Sequence, residues 1–262
     1  MQKVAIVTGG SSGIGLATAK SLLEKGCIVY EFSRHEGTGA IKHITCDVTD
    51  EENVIAAVRE VFEKEGHIDI LVNCAGFGIS GAVEFTSLSE AKSQMDVNFF
   101  GMVNVNKAVL PIMRENKSGR IINISSVAGP IPIPFQTYYS ASKAAISAYT
   151  AATANEIAPY GVSMCAVLPG DTCTKFTASR RKSIEGDDVY GGRISRSVEV
   201  MEKDETNGTD PKVTGAYIAK IAFKKKVKAY YCVGFTYKFF CVVMKLLPIG
   251  LSNKMIGSIY AK

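Results

Sequence analysis

No Cys-x-x-Cys pair occurs among the seven cysteines of this 262-residue chain, and no histidine stands at ligand spacing from them. Both a disulfide framework and a zinc site are therefore disfavoured. Several cysteines fall inside apolar, strand-like runs, where cysteine behaves as a small hydrophobe, and a reducing compartment is implied. No charged-then-apolar leader precedes the first strand-like run, so a cytoplasmic location is expected. Long apolar stretches are also lacking: the tail from 235 to 262 is apolar, yet Lys238, Lys245 and Pro248 interrupt it, and it is too short to span a bilayer. Internal repeats are missing. Net charge is only +5, and the clearest basic run, Lys224-Lys225-Lys226 with Lys228, has no interleaved aromatics, so no nucleic-acid partner is expected.

What is present is core. Hydrophobic residues make up 47% and charged residues 21%, the balance of a folded protein with a substantial interior. The length exceeds the ~150 residues of a typical domain, but single α/β units reach this size, and one domain over residues 1–262 is expected.

Lys3 to Val7 reads as a buried strand, and Thr8-Gly9-Gly10-Ser11-Ser12-Gly13-Ile14-Gly15 leads into a helical pattern from Leu16 to Lys25. A glycine-rich turn between strand and helix gathers unpaired N–H groups and the positive helix end at one point, which suits a pyrophosphate. A second strand, Cys27 to Phe32, finishes at Ser33-Arg34. In a dinucleotide fold an acid there binds free ribose hydroxyls, whereas an arginine accommodates a 2'-phosphate. Arg34 is present and the nearest acids are Glu31 and Glu36, so NADP(H) is read over NAD(H). The link from Arg34 to Lys42 is too short for a full crossover helix.

A third strand, Ile41 to Cys46, ends in Asp47-Val48, a carboxylate and an apolar side chain fit to hold an adenine ring. Asp50 is the expected N-cap of a helix over Glu51 to Lys64 with Val54, Ala57, Val58 and Val61 inward, and Gly66 stops it. The fourth strand, Ile68 to Val72, is followed by Asn73-Cys74-Ala75-Gly76, small residues that leave room for a ligand over the sheet's carboxyl edge. A long helix from about Ser89 to Met113 contains Asn98, either a solvent-facing residue or one that disturbs the helix to hold a carbonyl or water. Strands follow at Arg120 to Ile124 and Val162 to Leu168, with a helix from Ala141 to Ala158 between them. Six alternations of strand and helix predict a parallel sheet with helices on both faces.

From Asp171 to about Thr209 the pattern becomes polar and glycine-rich, with one helical piece at Val198 to Lys203, and a substrate lid is expected. A helix from Asp210-Pro211 to Phe223 and a strand from Ala229 to Val233 precede the tail. Phe235, Phe239, Val242 and Leu246 recur there at helical spacing, predicting a helix packed on the domain or a neighbouring subunit, with membrane-surface contact as the second reading.

Tyr139 and Lys143 stand one helical turn apart on one face. A phenol is a poor acid-base group near neutrality, and a neighbouring ammonium favours its phenolate. Taken alone, the spacing is a common accident.

The ordered set Thr8-Gly9-x-x-x-Gly13-Ile14-Gly15, Asp47-Val48, Asn73-x-Ala75-Gly76, Asn98, Ser126, Tyr139-x-x-x-Lys143 and Pro169-Gly170 resembles the classical short-chain dehydrogenase/reductase family, over about residues 3 to 176. The tail and the run SSVAGPIPIPFQTYYSASK are similar to its 17β-hydroxysteroid dehydrogenase-like branch. The resemblance implies a Rossmann-type, doubly wound three-layer α/β sandwich with a seven-stranded parallel sheet. It implies Tyr139 as acid-base residue, and Lys143 as its partner and the holder of the nicotinamide ribose. Ser126 would donate to the developing alkoxide, and Asn98 would fix a water behind Lys143. Gly9, Ser11, Ser12, Gly13, Ile14, Gly15, Ser33, Arg34, Asp47, Val48, Asn73, Ala75, Gly76, Pro169, Gly170, Thr172 and Thr174 would hold the cofactor. Family register selects Ser126 over Ser125 and Tyr139 over Tyr138. Two departures stand out: Asn73-Cys74 replaces the usual double asparagine, and the loop after the second strand is short.

The activity this implies is NADP(H)-dependent interconversion of a ketone and a secondary alcohol on a lipophilic substrate, with a hydroxysteroid favoured and a homodimer or homotetramer expected. The alternative is reduction of a long-chain 3-keto lipid such as 3-ketosphinganine. A non-catalytic cofactor sensor is the third reading, opposed by the retention of every catalytic position.

Overall fold

The computed structural model describes residues 1–35 and 39–261. The chain begins β1 (Val4–Thr8), α1 (Gly13–Glu24), β2 (Ile28–Ser33), β3 (Lys42–Thr45), α2 (Glu51–Glu65) and β4 (Ile70–Asn73). It continues through β5 (Ile79–Ser80), α3 (Leu88–Met95), α4 (Gly101–Glu115), β6 (Gly119–Ile124), α5 (Thr137–Ile157) and β7 (Val162–Leu168). After these come α6 (Phe176–Ser179), β8 (Arg181–Lys182), α7 (Arg193–Thr206), α8 (Pro211–Ala222), β9 (Tyr230–Cys232), α9 (Phe235–Leu246) and α10 (Ile249–Tyr260). Glu36 and the middle of the link before β3 lie outside the described residues.

Seven strands form one parallel sheet in the order β3-β2-β1-β4-β6-β7-β9. The chain runs outward from β1 to β3, then returns to place β4 on the other side of β1, so the order reverses there and opens a crevice at the carboxyl edge. Adjacent residues along each strand serve opposite faces. Ile6, Leu71 and Ile121 pack with Val54 and Val58 of α2 and Val105 and Val109 of α4. Their neighbours Val7, Val72 and Ile122 pack with Ala19 and Leu22 of α1 and Ile218 and Ile221 of α8. Both faces are covered, so the strands read as continuous apolar runs rather than alternating ones. Each such side chain contributes about 1.5–3 kcal/mol by its burial. The expected sheet is therefore present, and Asp50 caps α2 through a bond from the Asn53 N–H.

Three differences from the sequence reading matter. The single long helix expected across Asn98 is two helices joined by a π-helical turn at Asp96–Phe100. The helix carrying Tyr139 begins at Thr137, four residues early, so both Tyr139 and Lys143 lie inside it. The segment after β7 is far more ordered than its polar composition indicates: β8 pairs with β5, Thr172 bridges to Thr209, and α7 runs well beyond the short piece expected.

The tail also packs differently from its apolar spacing. Met244 and Ile256, with Phe240, Cys241 and Tyr260, close on Ile131. The expected stripe of Phe235, Phe239, Val242 and Leu246 faces outward instead. Tyr237 donates to Asp171 Oδ2 at 2.6 Å, which fixes the rotation of α9 and turns that stripe away from the domain. Among the described residues no helix is long and apolar enough to cross a membrane.

Candidate active site

A cavity of about 410 Å³ opens where the carboxyl ends of β1, β4, β6 and β7 meet the N-termini of α1 and α5. Its floor on one side is the turn Gly9 to Gly15, with Ser11, Ser12, Gly13 and Ile14 all on its wall. Ser12 is the N-cap of α1 but makes no side-chain cap hydrogen bond, so the first N–H groups of the helix remain directed at the cavity end. A β-carbon added to Gly15 would sit 2.2 Å from the Gly9 carbonyl oxygen, a backbone atom that cannot move aside. The cradle thus fits a pyrophosphate, and Gly15→Ala is expected to weaken nicotinamide dinucleotide binding at least tenfold, as read by cofactor fluorescence titration; unchanged affinity would show that the turn is not the cradle.

Ala75, Gly76, Ser126, Tyr139, Lys143, Pro169, Gly170, Thr172 and Thr174 line the same cavity. Tyr139 is raised to about 12 by burial, opposed by a hydrogen bond with Ser126. The Ser126 oxygen also accepts the Ala128 N–H at 3.1 Å. Lys143 is lowered to about 8 by its own burial, with Cys74 opposing weakly. Its Nζ donates to the Ile124 carbonyl at 2.9 Å and stands 5.7 Å from the centre of the Tyr139 ring. The ammonium expected to drag the phenol down is thus itself disfavoured by desolvation, and in the protein alone the phenol keeps its proton.

Asn98 lies behind this group, in the π-helical turn, and is 1% exposed. Its Oδ1 accepts the Phe77 N–H, and its Nδ2 donates to the Phe77 carbonyl and the Ser142 hydroxyl, each at 3.0 Å. Ser142 in turn donates to the Tyr139 carbonyl at 2.7 Å. The side chain therefore ties the loop after β4 to the first turns of α5. Of the two sequence readings, the helix-disturbing one describes it; solvent exposure does not.

Ser33, Arg34, Asp47, Val48 and Asn73 do not line the cavity. The ends of β2 and β3 carry the first four further along the sheet edge, on the side where an adenosine would extend. Ser33 is engaged within that edge: its hydroxyl donates to the His35 carbonyl at 2.7 Å and stands 3.2 Å from Glu31 Oε1. Glu31 is buried against Gly10 and paired with His43, and among the described residues its Oε2 has no hydrogen-bond partner. Arg34 is exposed at the edge. Burial would raise Asp47, but its Thr49 hydrogen bonds and the Arg34 charge hold it below the ordinary carboxylate value. Val48 packs against Gly101, and Asn73 donates to Asn106 and Asn123, both at 2.9 Å, inside the core.

The far wall comes from residues to which sequence reasoning gave no role in the site. Phe176 sets its ring 5.6 Å from that of Tyr139, and Ile133, Met201 and Tyr260 add apolar surface. Asp171 and Glu205 are the acids of this wall. Burial pushes the Asp171 carboxyl up, with the Tyr237 bond opposing. Glu205 is held by Arg180 and by the Thr177 hydroxyl. No single stretch marks these side chains as one wall, because Phe176 comes from α6, Met201 and Glu205 from α7, Tyr260 from α10, and Ile133 and Asp171 from the segments after β6 and β7.

The chain matches the short chain dehydrogenase family over residues 3–185. It is 44% identical over 227 residues, 85% of this chain and 84% of the relative, to a 3-ketodihydrosphingosine reductase of Bacteroides thetaiotaomicron. Among solved structures it resembles a short-chain dehydrogenase from Streptomyces avermitilis with a TM-score of 0.84 and 29% identity, covering 97% of this chain and 95% of that one. It also resembles ElxO with NADP bound, with a TM-score of 0.77 and 25% identity, covering 91% and 100%. The hydroxysteroid branch expected from the tail is not the one that the Bacteroides relative's name carries. With a dinucleotide cradle, a Ser126-Tyr139-Lys143 cluster and these matches, the chain belongs to the short-chain dehydrogenase family, oxidoreductases that work with NAD(P)(H).

Proposed function

We propose that this chain reduces the ketone of a long-chain 2-amino-3-keto lipid, the 3-ketosphinganine class, using NADP(H). The observation that carries the reading is the 44% identity to the Bacteroides 3-ketodihydrosphingosine reductase over 227 residues. Two features of the cavity support it. Ile133, Phe176, Met201 and Tyr260 offer an apolar path for an alkyl chain, and Asp171 offers a carboxylate for an ammonium beside the ketone. A steroid has no cation for that carboxylate, and the hydroxysteroid favoured from the tail sequence gives way on this ground.

When bound, the nicotinamide supplies the hydride that reduces the carbonyl carbon. Tyr139 gives its proton to the carbonyl oxygen, and its high value in the buried site keeps that proton available. Ser126 donates a hydrogen bond to the oxygen as charge develops. Lys143 holds the nicotinamide ribose and, when it carries its proton, favours the phenolate that Tyr139 becomes as the proton leaves. Asn98 fixes α5 against the loop after β4, and Thr172 and Thr174 hold the carboxamide. Arg34 takes the 2'-phosphate, with Glu31 already engaged by His43.

The test is a panel of 3-ketosphinganine, its N-acylated form, a long-chain 3-ketoacyl thioester and a steroid ketone, each followed by nicotinamide absorbance with NADPH and NADH. The expected result is the highest kcat/KM on the free amine with NADPH. Faster turnover of the steroid would overturn the substrate reading. A preference for NADH would overturn Arg34 and point to the free oxygen of Glu31 as a ribose-hydroxyl acceptor.

A further inference from the structure

All 25 acidic residues of the chain lie before residue 211, whereas ten of the 30 lysines and arginines lie after it, and all ten are lysines. The last part of the molecule is thus purely cationic where it is charged at all. Within it, α9 and α10 present an outer surface that the domain does not cover. On α9, Phe235, Phe239, Val242 and Leu246 recur at i, i+4, i+7 and i+11, and Phe235 and Leu246 are 85% and 80% exposed. On α10, Leu251, Met255 and Ile259 recur at i, i+4 and i+8 and are also exposed, and Ile249 at the joint is 79% exposed. Each stripe lies on one face of its helix.

The lysines sit where they flank these stripes. Lys238 and Lys245 lie seven residues apart along one side of the α9 stripe, and Lys254 borders that of α10; all three are exposed. Lys224, Lys225, Lys226 and Lys228 stand before β9, at the opposite end of the strand from α9, and add to the charge of the tail rather than to this surface. An apolar stripe edged by lysines, with no carboxylate on either helix, is the pattern of a helix lying in a membrane interface. The aromatic and aliphatic side chains enter the acyl boundary, and the ammonium groups reach back to the headgroups.

We infer that the outer face of α9 and α10 docks the protein on an anionic lipid surface. Each helix has 12 residues, too few to span a bilayer, so contact is peripheral. Charge decides between occupants: a second copy would bring the same lysines against these lysines, whereas an anionic bilayer complements them. The inner sides of the two helices reach the cavity, α10 through Tyr260 on its wall and α9 through the Tyr237 bond to Asp171. Docking therefore sets the lipid beside the cavity. Delivery of a lipid ketone from that surface rests on the proposed function; docking itself does not.

The experiment is co-sedimentation of the full-length protein with vesicles of phosphatidylcholine alone and of phosphatidylcholine with phosphatidylglycerol. Binding to the anionic vesicles, weakened by salt and much reduced for the neutral ones, is expected. Lys238→Gln and Lys245→Gln are each expected to weaken partitioning about fivefold. Phe239→Glu is expected to abolish it, with circular dichroism and turnover of a short, water-soluble ketone unchanged. No sedimentation with anionic vesicles would overturn the inference. So would a dimer in analytical ultracentrifugation that Phe239→Glu dissociates, since a second copy would then cover the face. Failure of the long-chain substrate with vesicle binding intact would overturn the substrate reading alone.

Discussion

Tyr139→Phe is expected to lower turnover by a factor on the order of 10³ while leaving cofactor affinity almost unchanged. The substitution removes one oxygen and keeps the ring that packs near Phe176. The sign of the pH dependence follows from the same residue. Burial raises the phenol to about 12 in the protein alone, so at neutral pH it is a proton donor and reduction proceeds. Reduction is expected to fall as pH rises through the tyrosine's value in the loaded enzyme, and oxidation of the corresponding alcohol to rise over the same range. Stopped-flow turnover in both directions across pH checks this. A Phe variant that still turns over, or a reduction rate that climbs with pH, would remove Tyr139 from the acid-base role.

Lys143→Met is expected to reduce turnover on the order of 10²-fold or more and to raise the KM for the cofactor, without lowering Tm at neutral pH. The physical reason is that the ammonium is not there for stability. Burial depresses it from 10.5 to about 8, so the folded state binds its proton less readily than the unfolded chain does. A depressed lysine destabilises the fold most below its folded value, and the penalty fades as pH rises from about 8 toward 10.5. Any gain in Tm from the methionine should therefore be present at pH 7 and shrink above pH 8. A kinetic loss accompanied by a large fall in Tm at pH 7 would mean that Lys143 is mainly structural, through its bond to the Ile124 carbonyl.

How far the site was legible varies with how local its causes are. The Gly9 to Gly15 turn declares itself, because a strand, a glycine-rich turn and a helix are contiguous and their geometry permits one use. Tyr139 and Lys143 are legible as a pair through helical spacing, though their protonation is not, since burial reverses the direction expected from the ammonium alone. Asn98 is visible as an oddity in a helical run, and its consequence, the π-helical turn at Asp96–Phe100, depends on bonds to Phe77 and Ser142 from distant parts of the chain. Ser33 carries a hydroxyl suited to the cofactor edge, but its bond to the His35 carbonyl depends on the fold of the chain around it.

The sequence by itself determined the parallel sheet covered by helices on both faces, because continuous apolar strands, capped helices and short connections are set by neighbouring residues. It also determined the family, since seven ordered motifs survive any rearrangement of the surface. Only the tertiary structure decided which wall faces the substrate and which face of the tail is left to solvent. The segment from 171 to 209 is mostly polar with scattered apolar residues such as Phe176 and Met201, and its spacing does not tell which of them will be folded over the crevice. The apolar stripe of α9 looks like a core face in sequence. The Tyr237 bond to Asp171 turns it outward.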